Sequence, residues 1–191
     1  ISSPGPYAEE ITAAGIRFIP VKMSRRITPV HDLISLWRLY RIFRREQFTI
    51  VHTHNPKPGL LGQLAARLAR VPIVVNTVHG FYFHENMHPW MRRFYIVMER
   101  IAAHCSDVIL SQNSEDVRTA IVEHISAPKK LKYLGNGIDV GRFDPDNVSR
   151  QIALLKRRAL GIQADAAVVG FVGRLVVEKG VLDLLQAAQL V

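Results

Sequence analysis

Arg174 and Lys179 flank one short turn, in Gly170-Phe171-Val172-Gly173-Arg174-Leu175-Val176-Val177-Glu178-Lys179-Gly180. An apolar run, 166–172, broken only by Gly170, enters this stretch, and a helical pattern, 181–191, leaves it. A continuous apolar run of this length reads as a strand buried on both faces of a parallel sheet. Ligands of such sheets collect where strands end and helices begin. Gly173 lets the backbone turn without a Cβ. A guanidinium fork and an ammonium beside the free N–H groups of a helix start suit a diphosphate. No Gly-Lys-Ser/Thr follows, so the stretch is not a Walker loop. An ordinary strand-turn-helix with two solvated cations fits the same residues, and both readings stay open on residue types alone.

Four more apolar stretches end in polar or glycine positions: His54-Asn55, His79-Gly80, Gln112-Asn113 and Asn136-Gly137. On one edge of a sheet they would line a cleft. Loops are rich in such residues anyway. Helix capping by Asn113 or Ser114 accounts for the third pair completely. It accounts less well for His52, His54 and His79. His79 ends a strongly apolar strand and precedes Gly80, which frees the backbone to wrap a substrate; a lone histidine at a strand end is otherwise structural. His84 and His88 would share a helical face and, with His79, raise the question of a metal. Their loose spacing is a poor zinc signature, and no metal is expected. Asn55 and Lys57, in His54-Asn55-Pro56-Lys57-Pro58, could meet an acceptor phosphate or hydroxyl, or could form a helix-start loop held by two prolines. Gly137 is read as a backbone requirement and Asn136 as a weak donor contact. Cys105 follows an apolar helix face and reads as a buried thiol rather than a nucleophile.

The elements that must position these groups alternate. A short helix over 7–14 closes at Gly15, and a strand follows over 16–21. A basic connector, 24–29, leads to a helix over 30–46. Strand-helix pairs then succeed one another: 49–52 and 58–70, 72–78 and 89–105, 107–111 and 114–126, with a further strand over 130–134. Strict alternation predicts an α/β fold with a doubly wound parallel sheet. After a turn cluster at 143–147 and a helix over 148–160, a second apolar system begins. The domain boundary is expected near residue 163, giving domains 1–163 and 164–191.

The 191 residues are 48% hydrophobic and 21% charged, which is globular composition, and they carry a net charge of +9. That charge favours anionic partners. One cysteine excludes a disulfide framework and suits a reducing compartment. No apolar run reaches the ~20 residues of a membrane span, and no signal peptide is legible at the start. The opening reads like the exit of a strand whose beginning is absent, so both ends look cut.

Taken together, Gly-Arg-Leu-Val-x-Glu-Lys-Gly (173–180), Gly-Asn-Gly-Ile-Asp (135–139), Val-His-Thr-His (51–54) and Thr-Val-His-Gly (77–80) closely resemble the family 4 glycosyltransferases of the GT-B fold. The order and spacing of the four strings make the resemblance specific, and it covers nearly the whole chain. It implies a Rossmann-like acceptor-side domain lacking its first strand, followed by the start of a Rossmann-like nucleotide-sugar domain. It also implies transfer of a hexosyl unit from a nucleotide diphosphate sugar, expected to be UDP-linked, to a glycan or lipid-linked acceptor. The anomeric configuration would be retained, in cell-surface polysaccharide or glycolipid synthesis.

The resemblance gives His79 a hydrogen-bonding role at the transferred sugar. Gly173, Arg174 and Lys179 become the diphosphate grip, Asn136 and Gly137 cleft contacts, and His54, Asn55 and Lys57 the acceptor side. No cofactor or metal is implied, the cations taking a metal's place. The glycine-rich start and the paired glutamates of the family are absent from the 191 residues, so the chain as written is expected to be inactive by itself. Two rivals remain: a nucleotide-sugar 2-epimerase of the same fold, and a non-catalytic basic module. The scattering of basic residues over several helices counts against nucleic acid as a partner.

The helix over 30–46 adds one more expectation. Leu33, Leu36, Tyr40 and Phe43 form the face expected to pack on the sheet. Ile34, Arg38, Arg41 and Arg45 form a neighbouring stripe, with Trp37 at its margin. Trp beside arginines suits the headgroup zone of an anionic bilayer, as well as an ordinary solvated face. The expected location is therefore cytoplasmic, peripheral on the inner face of the membrane.

Overall fold

The computed structural model describes residues 1–24, 27–54 and 56–190. The chain divides into two compact units, Ile1–Gly137 and Ile138–Val191, so residues 138–163 group with the later residues.

The first unit opens with α1 (Ala8–Ala13) and α2 (Pro29–Glu46), followed by β1 (Ile50–His54) and α3 (Pro56–Leu68). Then come β2 (Ile73–Val78), α4 (Pro89–Cys105), β3 (Val108–Ser111), α5 (Ser114–Val122) and β4 (Leu131–Tyr133). The four strands form one parallel sheet in the order β1-β2-β3-β4. Chain order equals spatial order, so every crossover steps the same way along the sheet. The expected strand over 16–21 reduces to one parallel bridge between Ser2 and Pro20, because Pro20 lacks an N–H with which to extend a ladder.

Burial on β1 alternates: Val51 and Thr53 are buried, while Ile50, His52 and His54 are exposed. Side chains of a strand point to opposite faces in turn, so the two histidines share the open face. The buried face meets α3, whose small residues permit close approach. Ala65 and Ala66 are fully buried, and a Cβ on Gly62 would lie 2.8 Å from Thr53 Cγ2. Val74, Val71, Leu61, Leu39 and Phe43 complete a first core cluster. Val78, Ile96, Ala103, Ile109, Ala120 and Leu131 form a second one, between the sheet and α4 and α5.

The buried polar groups are paired. Thr53 Oγ1 donates to Asn76 Oδ1 at 2.8 Å, and Ser106 Oγ to Gln63 Oε1 at 2.7 Å. The carboxylate of Asp107 accepts the Val74 N–H at 2.8 Å, tying the start of β3 to β2.

The face of α2 that packs is displaced from the expected one. Ser35, Leu39 and Phe43 are buried, with Leu36 and Tyr40 half-buried, but Leu33 is 68% exposed. The small Ser35 faces inward because its hydroxyl donates to the carbonyls of Lys22 and His31. That choice rotates Leu33 out.

The second unit holds α6 (Arg150–Ala159) and α7 (Val181–Ala187), with short 3-10 turns at Pro145–Asn147 and Val177–Lys179. The expected strand over 166–172 does not form among the described residues. A strand needs a partner for its N–H and C=O groups, and this unit supplies none. Its polar contacts are local: Ser149 caps α6, and Arg157 Nη1 donates to the carbonyls of Gln163 and Ala166. Among the described residues no helix is long and apolar enough to cross a membrane.

Candidate functional site

At the C-terminal ends of β1, β2 and β3 the open face carries a row of polar side chains. Parallel pairing sets His54 opposite Thr77, and Thr77 opposite Leu110. Two residues further along, on the same face, stand His79 and Gln112. The result is a continuous hydrogen-bonded chain. His54 Nδ1 lies 3.0 Å from His79 Nε2, and His79 Nδ1 lies 2.7 Å from Gln112 Oε1. His52 sits beneath, its ring centroid 4.3 Å from that of His54 and its Nε2 2.7 Å from Thr77 Oγ1.

Burial lowers the pKa of His52, and the neighbouring His79 adds to the effect. His54 is lowered by burial first, then by His52 and His79. Both shifts favour neutral rings near pH 7, and a neutral imidazole offers one donor and one acceptor to a ligand. The backbone behind the row is permissive. Gly80 has φ +116°, which an L side chain rarely adopts.

The remaining expected residues fall into different settings. Lys57 Nζ pairs with Asp32 Oδ1 at 2.6 Å, both side chains largely buried, so its charge is already matched within the protein. Burial works against the Asp32 carboxylate, but hydrogen bonds from Lys57 and Thr28 outweigh it and hold the pKa below the usual value. Asn55 lies outside the described residues. Asn136 and Gly137 are exposed beyond β4. The positive φ in that turn belongs to Gly135 (+74°), and a Cβ on Gly137 would meet nothing within 4 Å, so the turn's backbone requirement sits at Gly135. Gly173, Arg174 and Lys179 belong to the second unit, where they are exposed. There a Cβ on Gly173 would press on the Phe171 ring at 3.2 Å, so side-chain crowding rather than φ makes the glycine useful.

His84 and His88 are exposed, and among the described residues no three His, Cys, Asp or Glu side chains group closely enough to hold a metal ion. Cys105 is buried. Burial raises its thiol pKa against the opposing charges of Arg67 and Lys130, so it stays protonated and unreactive. A concavity at the other edge of the sheet is lined by Arg100, His104, His124 and Lys130. Its cations serve the fold: Arg100 donates to the Glu123 carbonyl and Lys130 to that of Ser106.

Residue types alone missed Gln112 and underrated His52. Helix capping explained the Gln112-Asn113 pair, and Asn113 does cap α5, its Oδ1 accepting the Glu115 N–H at 2.8 Å. The signal that could have found Gln112 is parity. It stands one residue past the end of β3, as His79 stands one past β2.

Residues 2–137 match the family described as glycosyl transferase 4-like domain. The chain is 35% identical over 185 residues to the UDP-Gal:alpha-D-GlcNAc-diphosphoundecaprenol alpha-1,3-galactosyltransferase of Escherichia coli, covering 97% of this chain and 47% of that protein. It is 29% identical over 195 residues to the capsular polysaccharide biosynthesis glycosyltransferase CapM of Staphylococcus aureus, covering 100% and 49%. The fold is similar to that of a glycosyltransferase from Rickettsia africae ESF-5, with a TM-score of 0.69, 19% identity, and coverage of 97% of this chain and 46% of that one. The chain thus spans about half the length of the curated relatives it matches.

Proposed function

The chain belongs to the glycosyl transferase 4-like family, and from that premise we propose that it is the acceptor-side portion of an enzyme moving a hexosyl unit from a nucleotide diphosphate sugar to a hydroxyl. The observation that carries the reading is the His54–His79–Gln112 chain at the C-terminal rim of the sheet. That rim is where parallel α/β sheets bind ligands. In this reading His79 faces the transferred sugar, His54 lies toward the acceptor, and Asn136 and Gly137 border the cleft. Gly173 gives the diphosphate a close approach. Arg174 and Lys179 neutralise the charge that develops on the phosphate oxygen as the nucleotide leaves. The reaction needs no metal in this account and retains the anomeric configuration. The E. coli relative's name, with its UDP-galactose donor and diphosphoundecaprenol acceptor, supports a UDP-sugar and a lipid-linked acceptor here as well.

A lipid-linked acceptor would bring the protein to a membrane, and α2 offers a surface for that. Val30, Leu33 and Trp37 are 71%, 68% and 58% exposed along one side, beside the exposed Arg38 and Arg41. Arg45 donates to Glu46 at 2.7 Å, so Arg38 and Arg41 carry most of the attraction to anionic headgroups. Such attachment should require anionic lipid and weaken with salt.

The test of the function is acceptor dependence in the full-length protein. Release of UDP from a UDP-sugar only when a lipid-linked glycan is present supports transfer. Release of UDP with an epimerised free sugar and no acceptor would replace transfer with 2-epimerisation.

A further inference from the structure

Resting on the transferase reading, we propose that Gln112 is a positioning residue. Its side-chain carbonyl holds His79 as the Nδ1–H tautomer and thereby fixes the direction of the whole histidine chain.

Proton count sets the direction of the chain. A carbonyl oxygen only accepts, so the 2.7 Å contact to Gln112 Oε1 requires a proton on His79 Nδ1. A neutral imidazole has one N–H, so His79 Nε2 is then a bare lone pair. Its partner at 3.0 Å, His54 Nδ1, must carry the proton of that contact. His54 in turn has no proton left for Nε2. One carbonyl therefore determines the proton positions on two rings, and the chain ends in an acceptor. A sugar hydroxyl that replaces His54 at His79 Nε2, or that binds at His54 Nε2, meets a lone pair and must donate to it. With Gln112 reversed, the amide would donate, the chain would run outward, and the same hydroxyl would have to accept.

The support under Gln112 suits this role. Ser111 Oγ donates to the Asn113 carbonyl at 2.9 Å and accepts the Asn113 N–H at 3.2 Å, which closes the backbone around Gln112. The Leu134 N–H binds the Ser111 carbonyl at 2.8 Å and ties the same turn to the residue after β4. Burial, aided by His52 and His79, lowers the pKa of His54 and favours the neutral ring whose Nε2 is left as an acceptor.

The experiment is a two-bond 1H–15N correlation of the imidazoles in the 15N-labelled full-length protein, with His79 assigned by loss of its signals in His79→Ala. Native protein should show His79 with a protonated Nδ1 and a bare Nε2. Gln112→Glu, whose carboxylate only accepts, should keep that tautomer. Gln112→Leu should let the ring pass to the Nε2–H form. A native His79 in the Nε2–H form, or a tautomer unchanged in Gln112→Leu, overturns the proposal. If Gln112→Leu does not fold, the native and Gln112→Glu spectra still decide. In turnover, Gln112→Leu should lower kcat by about tenfold or more while leaving KM near native, and Gln112→Glu should recover most of it. The spectra do not depend on transfer activity, so a failed assay with a confirmed tautomer would count against the transferase reading and leave the tautomer assignment intact.

Discussion

Residues 73–78 and 166–172 are the same kind of sequence, short apolar runs rich in valine with a helix behind each, yet they end differently. The first is β2, paired in parallel with β1 on one side and β3 on the other, with Val74 0% and Val78 9% exposed. The second forms no strand, and its Val169 and Val172 are 80% and 101% exposed. A strand is a property of a pair, and apolar content supplies only the willingness to join one. The groups of the proposed site follow the same division. His54, His79 and Gln112 are assembled by three paired strands, whereas Arg174 and Lys179 are placed by a local turn.

The largest effect of this contrast should appear in amide hydrogen exchange. The β2 amides should exchange many orders of magnitude more slowly than free peptide, while the amides of 166–172 in this 191-residue chain should approach free-peptide rates. Equal protection in the two runs would remove the distinction. A longer chain that supplies partner strands should close the gap, by protecting 166–172 as well.

Packing should show a smaller difference. A Cβ at Gly62 meets Thr53 at 2.8 Å with the α3 backbone behind it, whereas a Cβ at Gly170 meets nothing within 4 Å. Gly62→Val should destabilise the first unit by about 1–3 kcal/mol, as overpacking commonly does. Gly170→Val should leave stability within about 0.5 kcal/mol of the native value. Urea denaturation of both variants checks the pair, and a Gly62→Val midpoint equal to native would mean that α3 has room to move.

A pH-dependent effect concerns Glu99, on α4 in the packed unit, whose carboxyl pKa burial pushes up to about 7. The folded-state pKa exceeds the ordinary value of 4.5, so between those limits the folded chain holds a proton that the unfolded chain has lost. Stability from this group is therefore full below the unfolded pKa, falls as pH rises through the window, and is flat above it. Glu99→Gln, neutral throughout, should melt close to native at pH 5 and above native at pH 8. A constant offset across that range would place the carboxyl in water.

Much of this was legible in the sequence because periodicity and punctuation are local. Pro89 and Cys105 bound α4 as expected, and the β/α alternation gave the parallel sheet. What depends on register or on a partner was not legible. The rotation of α2 rests on Ser35 reaching two carbonyls across a loop. Residue types left Lys57 open between an acceptor contact and a helix-start loop, and its pairing with Asp32, 25 positions earlier, is written in no local pattern. Gln112 was hidden for the same reason: its importance comes from His79, on the adjacent strand, and no local pattern announces that neighbour.

The central claim is that the histidine rim contacts the reacting sugar rather than supporting the fold. It is tested most directly by steady-state transfer and thermal melting of His79→Ala in the full-length protein. The account predicts a fall in kcat of about a hundredfold or more, the scale of a lost hydrogen-bonding group at a reacting centre, with the melting temperature near native. A melting temperature that drops in step with activity, or a turnover that survives the substitution, would contradict it.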